Sequence, residues 1–214
     1  MIDLLDALTQ QRVLPLLVVD DPADAVPLGR ALARAGIRLV EVALRTPASV
    51  EICAALCSVS DLCVGAGTVL HPQQVAQVVE VGAQFVVSPG TSAAVLDSCQ
   101  HHGVAAIPGV ATATEIQRAM ELGATTVKFF PAERLGGIGT LSDLGGPFPQ
   151  VMFVPTGGVD EQNMAQYLAM SNVAAVGGSW IPSRSAIRAH EFAHITELAA
   201  RALTAASTKV RSHR

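Results

Sequence analysis

Short apolar strands alternate with helix-length segments along the whole chain, and this rhythm restricts the folds open to it. The sequence places strands at 13–19, 38–44, 63–66, 85–88, 105–108, 126–130, 152–155 and 174–177. Periodic helical segments fill the gaps at 22–35, 47–58, 72–81, 93–102, 113–122 and 161–169, and a last helix spans about 190–206. Pro22, Pro47 and Pro72 stand where helices would begin, a place suited to a residue with fixed φ and no donor. Gly36, Gly82, Gly103 and Gly123 each follow a helical segment just before a strand, where left-handed caps belong. Strands apolar on both faces imply a parallel sheet covered by helices.

The expected fold is therefore α/β, a (β/α)₈ TIM barrel preceded by a short amphipathic helix over 1–10. A doubly wound open sheet is the alternative. Residues 136–146 are glycine-rich, so the helix there should be short. Residues 1–214 read as a single domain, with 207–214 a polar, basic, frayed tail.

Half of the residues are hydrophobic and the formal net charge is −4, so no basic face is expected for nucleic acid or an anionic membrane. Gly, Pro or a charge interrupts every apolar run, which leaves no membrane span. Asp3 and Asp6 make the N-terminus unlike a signal peptide. Cys53, Cys57, Cys63 and Cys99 read as reduced core thiols, because their spacing suits neither a C-x-x-C pair nor zinc. The histidines do not cluster as ligands either; His101, His102, His190 and His194 suit surface roles.

Three features carry chemistry. The chain has only two lysines, Lys209 in the tail and Lys128 within the apolar string Val127-Lys128-Phe129-Phe130. A lysine reaching out to a barrel rim is the ordinary alternative. A low-dielectric interior instead disfavours the cation and frees the neutral nucleophile that a Schiff-base lysine needs. Next, the period-two rule puts Glu41, Ala43 and Arg45 on one face. A buried ion pair that only fixes packing is one reading; general acid/base work beside an amine is the other. Arg45, at the C-terminal end of its strand, has the planar fork for a substrate carboxylate. Finally, Pro155-Thr156-Gly157-Gly158 and Gly177-Gly178-Ser179-Trp180 follow the last two strands. Barrels commonly hold phosphate in these two loops, although either could be a plain tight turn.

Together these strings resemble the 2-keto-3-deoxy-6-phosphogluconate (KDPG) aldolase family over about residues 14–181. The matching strings also include Glu41-Val42-Ala43-Leu44-Arg45-Thr46, Val64-Gly65-Ala66-Gly67-Thr68-Val69-Leu70, Val87-Ser88-Pro89-Gly90, Lys128-Phe129-Phe130-Pro131-Ala132-Glu133 and Gly146-Pro147-Phe148. The resemblance implies an imine on Lys128, proton transfer by Glu41, and a substrate carboxylate held by Arg45 and Thr68. It implies that Pro89 and Phe130 shape the pocket and that Gly158, Gly178 and Ser179 contact the phosphate, with Thr156 and Gly157 also binding substrate. It further implies a cytoplasmic homotrimer without metal or cofactor, acting on a phosphorylated 2-keto acid and in many relatives on 4-hydroxy-2-oxoglutarate (KHG). Rival readings are the galactonate-epimer aldolase, a phosphate-binding isomerase or epimerase, a metal-dependent aldolase, and a non-catalytic sugar-phosphate binder.

Overall fold

The computed structural model describes residues 3–207, so Lys209 and most of the expected tail lie outside the described residues. Asp3 accepts the Asp6 amide and starts α1 (Leu4–Gln11). The chain continues through β1 (Val13–Leu17), α2 (Ala25–Arg34), β2 (Leu39–Ala43), α3 (Ser49–Cys57), β3 (Cys63–Gly67), α4 (Pro72–Glu80), β4 (Phe85–Val87) and α5 (Ala93–His101). It then forms β5 (Ala105–Ile107), β6 (Gly109–Val110), α6 (Ala113–Glu121), β7 (Thr126–Phe129), α7 (Gly137–Gly145), β8 (Met152–Pro155) and α8 (Met164–Tyr167). Strand β9 (Val176–Gly178), α9 (Arg184–Arg188) and α10 (Phe192–Ser207) complete it. The four glycines expected to end helices all have φ between 67° and 102°.

The alternation and the parallel pairing are present, but the closed eight-strand TIM barrel is not. The hydrogen-bonded ladders form two open sheets, one of six strands in the order β5-β4-β3-β2-β1-β9 and one of three in the order β6-β7-β8. Two prolines explain the breaks. Pro108 divides the expected fifth strand: the Ile107 carbonyl accepts from Ser88 beside β4, and the next carbonyl, Pro108, accepts from Lys128 on β7 at 2.8 Å. On the other side, Phe153 donates to Asn172 at 2.8 Å. The next residue facing that way is Pro155, which has no N–H, so only isolated bridges at Phe153–Val173 and Thr156–Gly177 join β8 to the last strand's segment. The strand order also lacks the reversal that defines a doubly wound sheet.

Two smaller expectations change as well. Helix α7 has nine residues, as many as α3 to α6, because its buried Gly137, Leu141 and Gly145 face the protein. A Cβ on Gly145 would lie 2.2 Å from the Asn172 amide, so small size there serves packing. The last helix begins at Phe192; His190 precedes it, at φ 56°, and pairs with Asp24 at 3.0 Å.

Strand side chains alternate between two apolar clusters. Val13, Leu17, Val40, Val42, Val64, Ala66, Val127, Phe129 and Phe153 join the larger cluster, packed against the helices. Leu14, Leu39, Phe85, Val87, Ile107 and Val154 point the other way and meet Leu4 and Leu8 of α1. Helix α1 thus closes the inner space at the end where the strands begin. Truncating a buried leucine such as Leu8 to alanine costs about 2–5 kcal/mol. No helix among the described residues is long and apolar enough to cross a membrane.

Candidate active site

With Val127 and Phe129 on the helix side of β7, Lys128 is left on the inner side. Val40 and Val42 do the same for Glu41 on β2. The two strands belong to different sheets, and their side chains meet inside: Lys128 Nζ donates to Glu41 Oε1 at 3.0 Å. The residues are 4% and 1% exposed, so the bond is shielded from bulk water. Losing one member of such a pair leaves an uncompensated buried charge, at about 3–5 kcal/mol. The Phe130 ring lies over the amine, its centroid 5.5 Å from Nζ. Moving one proton from Nζ to Oε1 would turn the ion pair into a neutral nucleophile beside a carboxylic acid.

Room for this pair comes from β3, whose inward positions after Cys63 are Gly65 and Gly67. A Cβ on Gly65 would enter the Phe85 ring at 2.2 Å, and one on Gly67 would lie 2.1 Å from Glu41 Oε1. The sequence marks these residues only as small; the structure shows what each makes space for.

At the strand ends, Arg45 Nε donates to Thr68 Oγ1 at 3.1 Å, bringing together the two residues that the family resemblance places on a carboxylate. Thr68 holds φ 59°, a left-handed conformation uncommon for a β-branched residue. Such strain, of order 1–3 kcal/mol, persists where the surroundings enforce it, often at functional sites. Pro89 sits against the backbone of Gly109, where a Cβ would meet its carbonyl at 2.1 Å. Arg45 and Thr68 share no hydrogen bond with the Lys128–Glu41 pair among the described residues; β2, which carries both Glu41 and the approach to Arg45, connects them.

The two glycine turns lie beside each other. Gly157 and Gly158 take φ 96° and 82°, values open to glycine at little cost. Ala132 and Glu133 donate to the carbonyls of Thr156 and Gly157 at 2.8 and 3.0 Å, tying the segment after β7 to the turn after β8. The buried Thr156 hydroxyl donates to Val154 O at 3.3 Å, in space that a Cβ on Gly177 would occupy. A Cβ on Gly178 would strike the Trp180 ring, and Ser179 is exposed beyond it. A cleft of about 340 Å³ brings Ser179 and Arg45 into one lining with Val18, Pro182, Ser183 and Arg184.

Sequence reasoning missed two groups near this rim. Asp20, just past β1, accepts from Arg184 Nε and Arg188 Nε at 2.8 Å each, and also from Arg184 Nη2. Arg184 above all pulls the Asp20 carboxyl down to about 2. Tyr167, fully buried, donates to Glu133 Oε1, and its burial and that carboxylate both push the phenol upward. As the chain's single tyrosine, lying in a helical segment, Tyr167 offered the only sequence cue. All four cysteines are free thiols, and burial raises Cys63 and Cys99 to about 11. Among the described residues no three His, Cys, Asp or Glu side chains gather as metal ligands.

The family model for KDPG and KHG aldolase matches residues 4–198. The chain belongs to the KDPG and KHG aldolase family. It is an enzyme, a lyase of the aldolase kind. This aldolase is 47% identical over 204 residues to the 2-dehydro-3-deoxy-phosphogluconate aldolase of Treponema pallidum, covering 95% of this chain and 97% of the relative. It is 42% identical to the KHG/KDPG aldolase of Escherichia coli K12, covering 93% and 94%. Its structure matches the KDPG aldolase of Legionella pneumophila with TM-score 0.89 and 41% identity, covering 92% and 96% of the two chains. In that crystal structure pyruvate was captured at low pH as a covalent carbinolamine intermediate.

Proposed function

We propose that this aldolase cleaves KDPG to pyruvate and D-glyceraldehyde 3-phosphate through an imine on Lys128, with KHG as a second substrate giving pyruvate and glyoxylate. The observation that carries the reading is the buried Lys128–Glu41 pair at 3.0 Å in a chain of this family. Neutral Lys128, its proton passed to Glu41, attacks the keto carbon; Glu41 returns that proton to the carbinolamine hydroxyl, which departs as water and leaves an iminium beside the Glu41 carboxylate. Glu41 as carboxylate takes the proton from the hydroxyl on carbon 4, and the bond between carbons 3 and 4 breaks. Its electron pair passes to the iminium, forming an enamine, and the aldehyde leaves. Glu41 returns the proton to carbon 3, through a water, and hydrolysis releases pyruvate and restores the amine.

Around this centre, Arg45 and Thr68 hold the carboxylate, Pro89 and Phe130 bound the pocket, and Thr156, Gly157, Gly158, Gly178 and Ser179 surround the phosphate. The same reading assigns an Entner–Doudoroff type of sugar-acid catabolism to a cytoplasmic homotrimer. Incubation with pyruvate and borohydride is expected to add one reduced pyruvyl group, mapped to Lys128 by peptide mass spectrometry. An adduct on Lys209 alone, or none, would overturn the assignment.

A further inference from the structure

We propose that Arg184 is a specificity-determining residue that favours phosphorylated over unphosphorylated substrates, an inference that rests on the aldolase reading above. Arg184 shares its cleft with Arg45 and Ser179, and no carboxylate lines that cleft. Arg45 arrives from the end of β2, whereas Arg184 follows Ser179 by five residues along one segment. The cleft therefore takes one guanidinium from each of two chain segments, a pair that suits a substrate carrying two anionic groups. With Arg45 on the carboxylate, Arg184 falls to the phosphate that Ser179 faces.

Asp20 orients this group without using it up. The carboxylate binds Arg184 through Nε and Nη2 and also holds Arg188, so two cations share one anion and the cluster keeps an excess positive charge. A guanidinium has five N–H donors, of which Asp20 takes two from Arg184. The remaining three have no protein partner among the described residues. Arginine's planar fork matches phosphate, and charge-assisted hydrogen bonds are among the stronger ones. Arg184 is about half exposed, so screening by water and salt limits its effect.

The test is the ratio of kcat/KM for KDPG to that for unphosphorylated 2-keto-3-deoxygluconate. Arg184→Gln is expected to lower this ratio about tenfold, mainly through KM for KDPG, and to weaken competitive inhibition by inorganic phosphate in parallel. Arg184→Lys, which keeps the charge, is expected to recover most of the ratio, and raised salt should narrow the gap between parent and Arg184→Gln. Circular dichroism and borohydride trapping of pyruvate on both variants confirm the fold and the amine. A ratio within twofold of the parent, or equal losses on both substrates in a folded, trappable variant, would overturn the role of Arg184 alone. If the parent traps no pyruvate, the aldolase reading itself fails.

Discussion

Replacing Gly67 by alanine perturbs the proton path without altering either charged group. The added Cβ would lie 2.1 Å from Glu41 Oε1, 2.6 Å from its Cγ and 2.7 Å from its Cδ, with little room to yield in a side chain only 1% exposed. To reach an ordinary contact of 3.4 Å the carboxylate oxygen must withdraw by about 1.3 Å. From a starting separation of 3.0 Å, a shift of that size with any large component away from Nζ takes it out of hydrogen-bond reach of Lys128. A misplacement of about 1 Å can cost on the order of 10²-fold in rate. Overpacking should lower stability by about 1–3 kcal/mol, which leaves the variant testable at low temperature. The assay is single-turnover cleavage of KDPG with pyruvate detected by coupled lactate dehydrogenase, beside borohydride trapping and a thermal melt. We expect a roughly hundredfold slower cleavage with trapping retained, because the amine itself is not displaced. A cleavage rate within threefold of the parent would refute the argument that Glu41's position limits the reaction.

Glu41→Gln keeps the shape but cannot accept a proton; water can carry protons over the longer time of a trapping assay, so an adduct should still form while turnover drops about 10²–10⁴-fold, and equal single-turnover rates would move proton transfer to another group. Asp20 is held near 2, below the value of about 3.9 for a free aspartate, so its ionised form favours the folded state above pH 4. That contribution is lost as pH falls through about 2, and a carboxyl NMR titration with a midpoint near 4 would show that the arginines do not hold it.

Lys128 and Glu41 were legible in the sequence because each is a charge in an otherwise apolar strand, where the period of two leaves one direction for it. Arg45, exposed two residues beyond β2, was legible from its place at the strand's C-terminal end, and the cap glycines because their left-handed backbone restricts residue type. The breaks at Pro108 and Pro155 were not, since a proline at a strand's end reads as a turn unless the direction of the preceding donors is known. The pairing of Asp20 with Arg184 spans 164 residues between surface side chains and leaves no periodic trace. Gly67 was visible as a small residue, but its purpose depends on a neighbour in another strand.

The closure by α1 bears on the order in which products depart. Leu4 and Leu8 seal the floor of the inner space, so traffic to and from Lys128 passes through the rim at the opposite end. On the reading proposed above, the phosphorylated fragment would be held at that rim and the pyruvyl fragment bonded to the amine beneath it. The aldehyde would then leave first, and the water that hydrolyses the imine would follow through the space it vacates. In the synthetic direction this makes pyruvate the leading substrate, and steady-state inhibition patterns should be those of an ordered mechanism with the covalent partner binding first.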